Sequence, residues 1–502
     1  MRGFGAMFLN QIYRHARDYP DSLAVVDSGI EVTYRDFARF IDAVRSLLMK
    51  SELPPDGIIV NLSNNLFGDW VLLLALRSLG HTTVSTTSCE SLKGLGLRDI
   101  GALVCFARQT KAMEAFARAY PECPILEIPR PLATNLKDGA TPEPVDDGRF
   151  GDHILYTSGT TGTYKKVRYS GDLLESCVAD PLTGPSARLI TKDDVYHATS
   201  FAPWTKAGYI HPLVCWYRGA TVIFEQRGNW VEHFFDYPVT MTTFVPPMLE
   251  RFCRSGVSQP PEYPKFRLLA GAGFIDAKLA MKAISQFACE FLVVYGGTEM
   301  RITLESAVQS EEDVIWLTPN FDPDVEVVDE DDQPTPDGEE GILRIKLSPA
   351  YPTEYIDDPE STAEHFRDGY FYPGDMAVRR GDGRIRILGR VADVLNLRGA
   401  KRAIAPLEDW ARDILQVTDL CMFVQQTNDG KEMLIVAIEG SELPDRARLE
   451  AVAKRFRRVP MILFPLINKF PRSENGMMKV NRHEVLRLVR ESRGPQELPI
   501  VA

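Results

Sequence analysis

The run Gly57-Ile-Ile-Val-Asn-Leu62, followed by Phe67-Gly-Asp-Trp-Val-Leu-Leu-Leu-Ala-Leu-Arg-Ser-Leu79 and then Thr82-Thr-Val-Ser-Thr86, decides the fold class. A short apolar run, a helical stretch and a second apolar run in that order predict a βαβ unit. The rhythm recurs outward in both directions. Residues 102–106, 111–120 and 124–128 repeat it, as do 195–199, the stretch after Ala207, and 221–225. Further short strands are expected at 239–244, 266–270 and 291–294, with helices at 246–252 and 276–287 between them. Helices alternating with strands imply parallel sheets covered on both faces.

Beyond Trp316 the texture changes to short β segments around Asp-Gly and Pro punctuation, at 325–328, 342–347 and 385–388, which predicts a small barrel-like subdomain. A mixed tail follows, with a strand at 432–438 and a basic helix at 445–458. The expected organisation is α/β: an N-terminal domain of parallel sheets over 1–389, with the β subdomain at about 317–389, and a small α+β C-terminal domain over 390–502.

At 502 residues the chain exceeds what one core serves. Its formal charge of -12, from 57 basic and 69 acidic side chains, argues against nucleic acid or an anionic membrane as the main ligand. The eight cysteines show no C-x-x-C pair and no zinc-ligand spacing. Met1 to Leu9 offers only a brief apolar stretch, and no run approaches a membrane span. A soluble, cytoplasmic protein is the expectation.

One loop carries chemistry. Tyr156-Thr-Ser-Gly-Thr-Thr-Gly-Thr-Tyr-Lys-Lys166 is entered from a strand and crowded with hydroxyls, glycines and two cations. Gly159 and Gly162 let backbone N–H groups approach an anion, Ser158, Thr160, Thr161 and Thr163 add hydroxyl donors after Thr157 at the loop's start, and Lys165 adds charge. It is not a Walker A loop, since Tyr164 and Lys166 stand where that pattern needs Gly and Ser or Thr. Read alone, it is also compatible with a polar linker.

The loop resembles the signature loop of the adenylate-forming superfamily of acyl-CoA synthetases, luciferases and peptide-synthetase adenylation domains. Further motifs follow in that family's order: Gly271-Ala272-Gly273, Tyr295-Gly296-Gly-Thr298-Glu299, Tyr372-Pro-Gly-Asp375, Gly389-Arg390 with Gly399, Pro406 and Glu408 after it, and Pro471-Arg472 through Lys479-Val-Asn-Arg482. From Val32-Thr-Tyr-Arg35 to Arg482 the resemblance spans nearly the whole chain.

The resemblance implies ATP and Mg2+ as cofactors. It assigns the ion to Glu299, the α-phosphate to Thr298, the adenine to Gly271–Gly273 with Tyr295 stacking, and the ribose to Asp375 and Arg390. Lys479 is the residue it places between the attacking carboxylate and the α-phosphate. Met477 and Met478 separate Lys479 from Gly476, which the family usually places next to its lysine, while the Lys-x-x-Arg spacing to Arg482 is kept. The hinge position after Gly389-Arg390, often Asp or Lys, is Ala392 here. Tyr164 and Lys166 replace the usual proline and glycine, which stiffens or repositions the loop.

The stretch Phe201 to Gly208 lacks the aspartate that α-amino-acid activators use. An acyl or aryl acid without that amine is therefore expected, with Phe201, Trp204, Tyr209 and Phe244 as candidate walls of its pocket. The acyl acceptor is expected to be coenzyme A, with Lys401 and Arg402 near its phosphates. One alternative is the phosphopantetheine arm of an acyl or peptidyl carrier protein in a biosynthetic pathway; an alternative of another class is a non-catalytic nucleotide- or acyl-binding homologue.

Overall fold

The computed structural model describes residues 7–62, 65–106, 110–129, 142, 150–158, 164–174, 190–199, 201–287, 289–320, 324–348, 351–391, 394–397, 400–426, 432–457, 459–472 and 480–491. The chain divides into two compact units, residues 1–324 with 346–371, and residues 325–345 with 372–502.

In the first unit, one sheet of nine strands among the described residues has a parallel centre. Glu290–Gly296, Arg267–Ala270, Met241–Phe244, Val195–His197, Thr221–Phe224 and Leu23–Asp27 lie side by side in that order. Antiparallel strands close both edges: Ile302–Ala307 and Thr318–Pro319 at one end, Ile30–Thr33 at the other. A second sheet runs Ile125–Ile128, Ile100–Phe106, Ile58–Leu62, Thr82–Thr86, His153–Ser158 and Tyr164–Tyr169, parallel except for its last pair.

The helix Leu66–Ser78 is apolar on nearly every side and buried along its length, the pattern of a helix enclosed on all faces rather than lying on a surface. Trp70 and Trp216 meet edge to face at its core, ring centres 4.9 Å apart. Two charged residues ride in with it. Asp69 accepts from Ser85 Oγ at 2.9 Å and also from Asn61 Nδ2; Arg77 donates to Gly151 O at 2.6 Å and to Tyr209 Oη. Burial raises the Asp69 pKa to about 8.

The second unit holds an antiparallel sheet of Val325–Val328, Glu340–Lys346 (its last residue in the first unit), Asp375–Arg379 and Ile385–Arg390. It continues through the hairpin Val394–Leu397 with Ala400–Ala403, the helix Ile404–Leu415 and the paired strands Asp419–Gln426 and Glu432–Glu439, backed by the helix Arg446–Arg455. Asp445 caps that last helix, its side chain accepting from Arg448 N at 3.0 Å. The α/β reading of the sequence holds, and most expected elements fall within a few residues of their observed bounds. The helix Pro359–His365 and the hairpin Phe366–Arg367 with Tyr370–Phe371, inside the stretch read as a β subdomain, belong to the first unit.

Candidate active site

Three neighbouring parallel strands of the large sheet, Met241–Phe244, Arg267–Ala270 and Glu290–Gly296, deliver the first group of candidate residues at their carboxyl ends, where open α/β sheets bind ligands. Gly271 donates its N–H to Phe244 O at 3.2 Å. A Cβ on Gly271 would lie 2.5 Å from Val294 O, so only glycine fits between the two strands. Ala272 takes φ +62, a left-handed conformation that costs a non-glycine residue about 1 kcal/mol. Ala272 and Gly273 are exposed.

Beside this turn, Gly296 begins the loop to the returning strand Ile302–Ala307; a Cβ there would meet Arg301 O at 2.7 Å. Tyr295 is half-buried and Thr298 buried. The loop is fastened from outside: Tyr169 Oη donates to Thr298 O at 2.8 Å, and Lys206 Nζ donates to Gly297 O at 2.7 Å and to Met300 O. The Glu299 carboxylate accepts from Tyr355 Oη at 2.7 Å.

The phosphate loop leaves the second sheet after Thr157 and Ser158, and its chain returns antiparallel, with Lys165 opposite Thr157 and Tyr164 opposite Ser158. Gly159, Thr160, Thr161 and Gly162 lie outside the described residues. Lys165 Nζ meets His365 Nε2 and stands 4.9 Å from the centre of the Tyr355 ring.

Tyr164 and Lys166, the phosphate loop's own two departures from the family pattern, fasten the returning strand. The Tyr164 ring stands edge-on to Tyr156 at 5.6 Å and packs so closely on Gly94 that a Cβ there would come within 3.1 Å. The buried Lys166 ammonium donates to Leu95 O at 2.7 Å, at the last turn of the helix Cys89–Leu95. Burial lowers the Lys166 pKa, against the pull of Asp357 and Asp358.

Of the proposed acyl walls, Tyr209 and Phe244 are wholly buried. Tyr209 stacks on His153 and Trp70 with its hydroxyl at Arg77, and Phe244 sits among Trp230, Phe234 and Phe252. Both take part in core packing. Trp204 is half-buried and lies parallel to Tyr156 at 6.2 Å; Phe201 is buried.

In the second unit, Asp375 and Arg390 are direct cross-strand partners. Arg390 Nε stands 3.3 Å from Asp375 Oδ1, and its Nη1 donates to Pro373 O at 2.6 Å. Ala392, Gly399 and Lys479 lie outside the described residues, as do the side chains of Lys401 and Arg402. The base of the Lys479 loop is described. Arg472 pairs with Val480 across it, and Asn481 N donates to Pro471 O at 2.8 Å. Arg472 forks to Glu439 at 2.6 Å and Asp419 at 3.1 Å. Arg482 donates to Glu408 at 2.8 and 3.0 Å and to Met422 O at 2.7 Å. Arg482, noticed in the sequence for its spacing from Lys479, thus anchors the loop's exit.

Sequence reasoning missed Tyr355, His365, Tyr169 and the anchoring role of Lys206. Each acts on a residue remote in sequence, and no local pattern marks them. Among the described residues no group of three His, Cys, Asp or Glu side chains is placed to hold a metal ion. A single carboxylate fits Mg2+, which binds through one or two carboxylates, substrate phosphates and retained waters. No helix among the described residues is long and apolar enough to cross a membrane, and no disulfide joins the described cysteines.

Comparison with known proteins identifies the fold and the family. The rat (Rattus norvegicus) mitochondrial acyl-coenzyme A synthetase ACSM4 is 27% identical over 266 residues, 51% of this chain and 45% of that relative, so the match spans less than half of its length. A feruloyl-CoA synthase from Amycolatopsis sp is 26% identical over 401 residues, 76% of this chain and 78% of the relative. The ATP-bound structure of MatB from Rhodopseudomonas palustris superposes with a TM-score of 0.78 at 21% identity, covering 96% of this chain and 99% of that one, which shows a shared fold. The family description "AMP-binding enzyme" matches residues 12–350, and the chain belongs to the AMP-binding enzyme family.

Proposed function

We propose that this protein activates a carboxylic acid with ATP, forming an acyl adenylate and releasing pyrophosphate, and then transfers the acyl group to a thiol, that of coenzyme A. The observation that carries the reading is the convergence of the Gly271–Gly273 turn and the Glu299 loop on the carboxyl ends of adjacent strands. In the first step a carboxylate oxygen of the acid attacks the α-phosphorus, the bond to the bridging α,β-oxygen breaks, and pyrophosphate leaves. In the second, thiolate sulfur attacks the acyl carbonyl and AMP leaves.

The chain's residues divide this work. The Gly271–Gly273 turn and Tyr295 take the adenine, Asp375 and Arg390 the ribose hydroxyls, and Thr298 the α-phosphate. The loop from Thr157 to Gly162, with Lys165, cradles the outer phosphates. Glu299 would hold Mg2+, which supplies charge neutralisation between the triphosphate and the incoming carboxylate. Lys479 bridges acid and α-phosphate as charge develops. Residues 390–502 form the domain that carries Lys479, with Ala392 at its hinge.

The missing amine-binding aspartate between Phe201 and Gly208 supports an acyl or aryl acid over an α-amino acid, with Trp204 and Phe201 toward its chain or ring. The names of both relatives contain coenzyme A, which supports that acceptor over a carrier protein. Incubation with ATP, Mg2+ and mixed acids, without a thiol, should accumulate an acyl adenylate detectable by mass spectrometry. ATP bound without any adenylate, across fatty, aryl and amino acids, would refute catalysis.

A further inference from the structure

Resting on the ATP-dependent reading above, we infer that Tyr355 is a positioning residue for the metal-bound triphosphate: its hydroxyl sets the Glu299 carboxylate and its ring face seats Lys165. One buried aromatic side chain thereby links the expected metal ligand to the phosphate-loop cation, from two distant parts of the chain.

The placement of Tyr355 is fixed before any ligand arrives. Its own N–H donates to Thr362 Oγ1 at 2.9 Å, in the helix Pro359–His365 that Asp358 caps through Ser361 N at 3.0 Å. The next residue, Ile356, donates its N–H to Lys166 O at 2.9 Å, tying the segment to the strand that carries Lys165. The Tyr355 ring is 4% exposed and packs edge-on against Phe366 at 5.2 Å and His365 at 5.9 Å. A ring so held cannot turn its hydroxyl elsewhere.

Two opposite charges meet this ring. At its edge, the hydroxyl donates to Glu299 Oε1 at 2.7 Å, while Oε2 takes no protein donor among the described residues. Over its face stands Lys165 Nζ, 4.9 Å from the centre, in the geometry of a cation–π contact. The bond to Oε1 orients the carboxylate and leaves its second oxygen for an ion. Hydrogen bonds of this kind behind a metal ligand are worth about 10- to 100-fold in metal affinity.

Tyr355→Phe keeps the ring and its packing and removes only the hydroxyl; Tyr355→Leu removes the seat for Lys165 as well. The test is Mn2+ affinity of the full chain with ATP present, read by paramagnetic relaxation of water protons, together with ATP affinity in EDTA. Tyr355→Phe should weaken Mn2+ about tenfold and leave metal-free ATP affinity within about twofold, and Tyr355→Leu should weaken both. Because Tyr355 is argued to act through Glu299, Tyr355→Phe combined with Glu299→Gln should bind Mn2+ no more weakly than Glu299→Gln alone.

Unchanged Mn2+ affinity in Tyr355→Phe, or losses that add in the double variant as a purely structural defect would give, overturns the inference. A native chain that binds no ATP or forms no acyl adenylate fails the functional reading itself, whereas an active native chain with an unaffected Tyr355→Phe fails the inference alone.

Discussion

Replacing Arg482 with methionine would leave the Glu408 carboxyl, whose side chain is 10% exposed, without its guanidinium. Arg482 now gives Glu408 two hydrogen bonds and ties it to Met422 O. Burial pushes the Glu408 pKa above its ordinary 4.5, with Arg482 as the largest opposing pull. Removing one member of a buried pair costs about 3–5 kcal/mol. At 3 kcal/mol, local opening around Glu408 becomes roughly 150-fold more frequent. Hydrogen exchange at Met422 N–H, which donates to Glu408 Oε1 at 2.6 Å, reads that opening directly.

The sign of its pH dependence follows from the raised folded pKa, which rises further without Arg482. The folded state then favours the neutral acid, so the penalty is absent below about pH 4.5 and grows as pH rises through the folded value. Exchange in Arg482→Met should therefore be faster relative to the native chain at pH 8 than at pH 5, after correction for the intrinsic rate. Adding Glu408→Gln should recover much of the protection. Native-like protection at pH 8, or a larger defect at pH 5, would refute the claim that this pair anchors the exit of the Lys479 loop.

Three further outcomes are expected. Lys479→Ala should lower adenylation by orders of magnitude while leaving thioester formation from a supplied acyl adenylate largely intact; equal loss in both steps, measured by rapid quench, would defeat its assigned role. Gly271→Ala forces a Cβ to 2.5 Å from Val294 O, so it should cost about 1–3 kcal/mol and raise the KM for ATP, as thermal melting and steady-state kinetics would report. Asp69, lifted to about 8, adds stability that is full below its ordinary 3.8 and lost as pH rises through about 8. Asp69→Asn should remove a slope of up to about 1.4 kcal/mol per pH unit between about pH 4 and 8, read as exchange protection of Ile58–Leu62.

The fold was largely legible because strands and helices in parallel sheets announce themselves by apolar run and length, as in Ile58–Leu62, Leu66–Ser78 and Thr82–Thr86. The glycines were legible too: Gly271 and Gly296 stand where a Cβ would strike a backbone carbonyl. What sequence could not give was the direction in which an aromatic side chain faces. Tyr209, on the helix Lys206–Arg218, stacks on His153 and Trp70, and Phe244, at the end of its strand, packs among Trp230, Phe234 and Phe252, so both are buried in the core.

Nor could sequence give the partners of Glu299 and Lys165. Tyr355 and His365 lie in a turn-punctuated stretch with no motif of its own, and only packing of the helix Pro359–His365 in the first unit brings them to the loop. Tyr164 and Lys166 show the same limit from the other side. Read as drift from a pattern, they are in place a ring packed on Gly94 and a cation on Leu95 O, both of which secure the strand leaving the loop.

The most direct test of the central claim is acid-dependent ATP–pyrophosphate exchange across a panel of fatty, aryl and amino acids with coenzyme A absent. The account predicts exchange with a fatty or aryl acid, lost in Glu299→Gln and in Lys479→Ala. Exchange with amino acids alone would contradict the substrate reading, and no exchange with any acid despite measurable ATP binding would contradict adenylation itself.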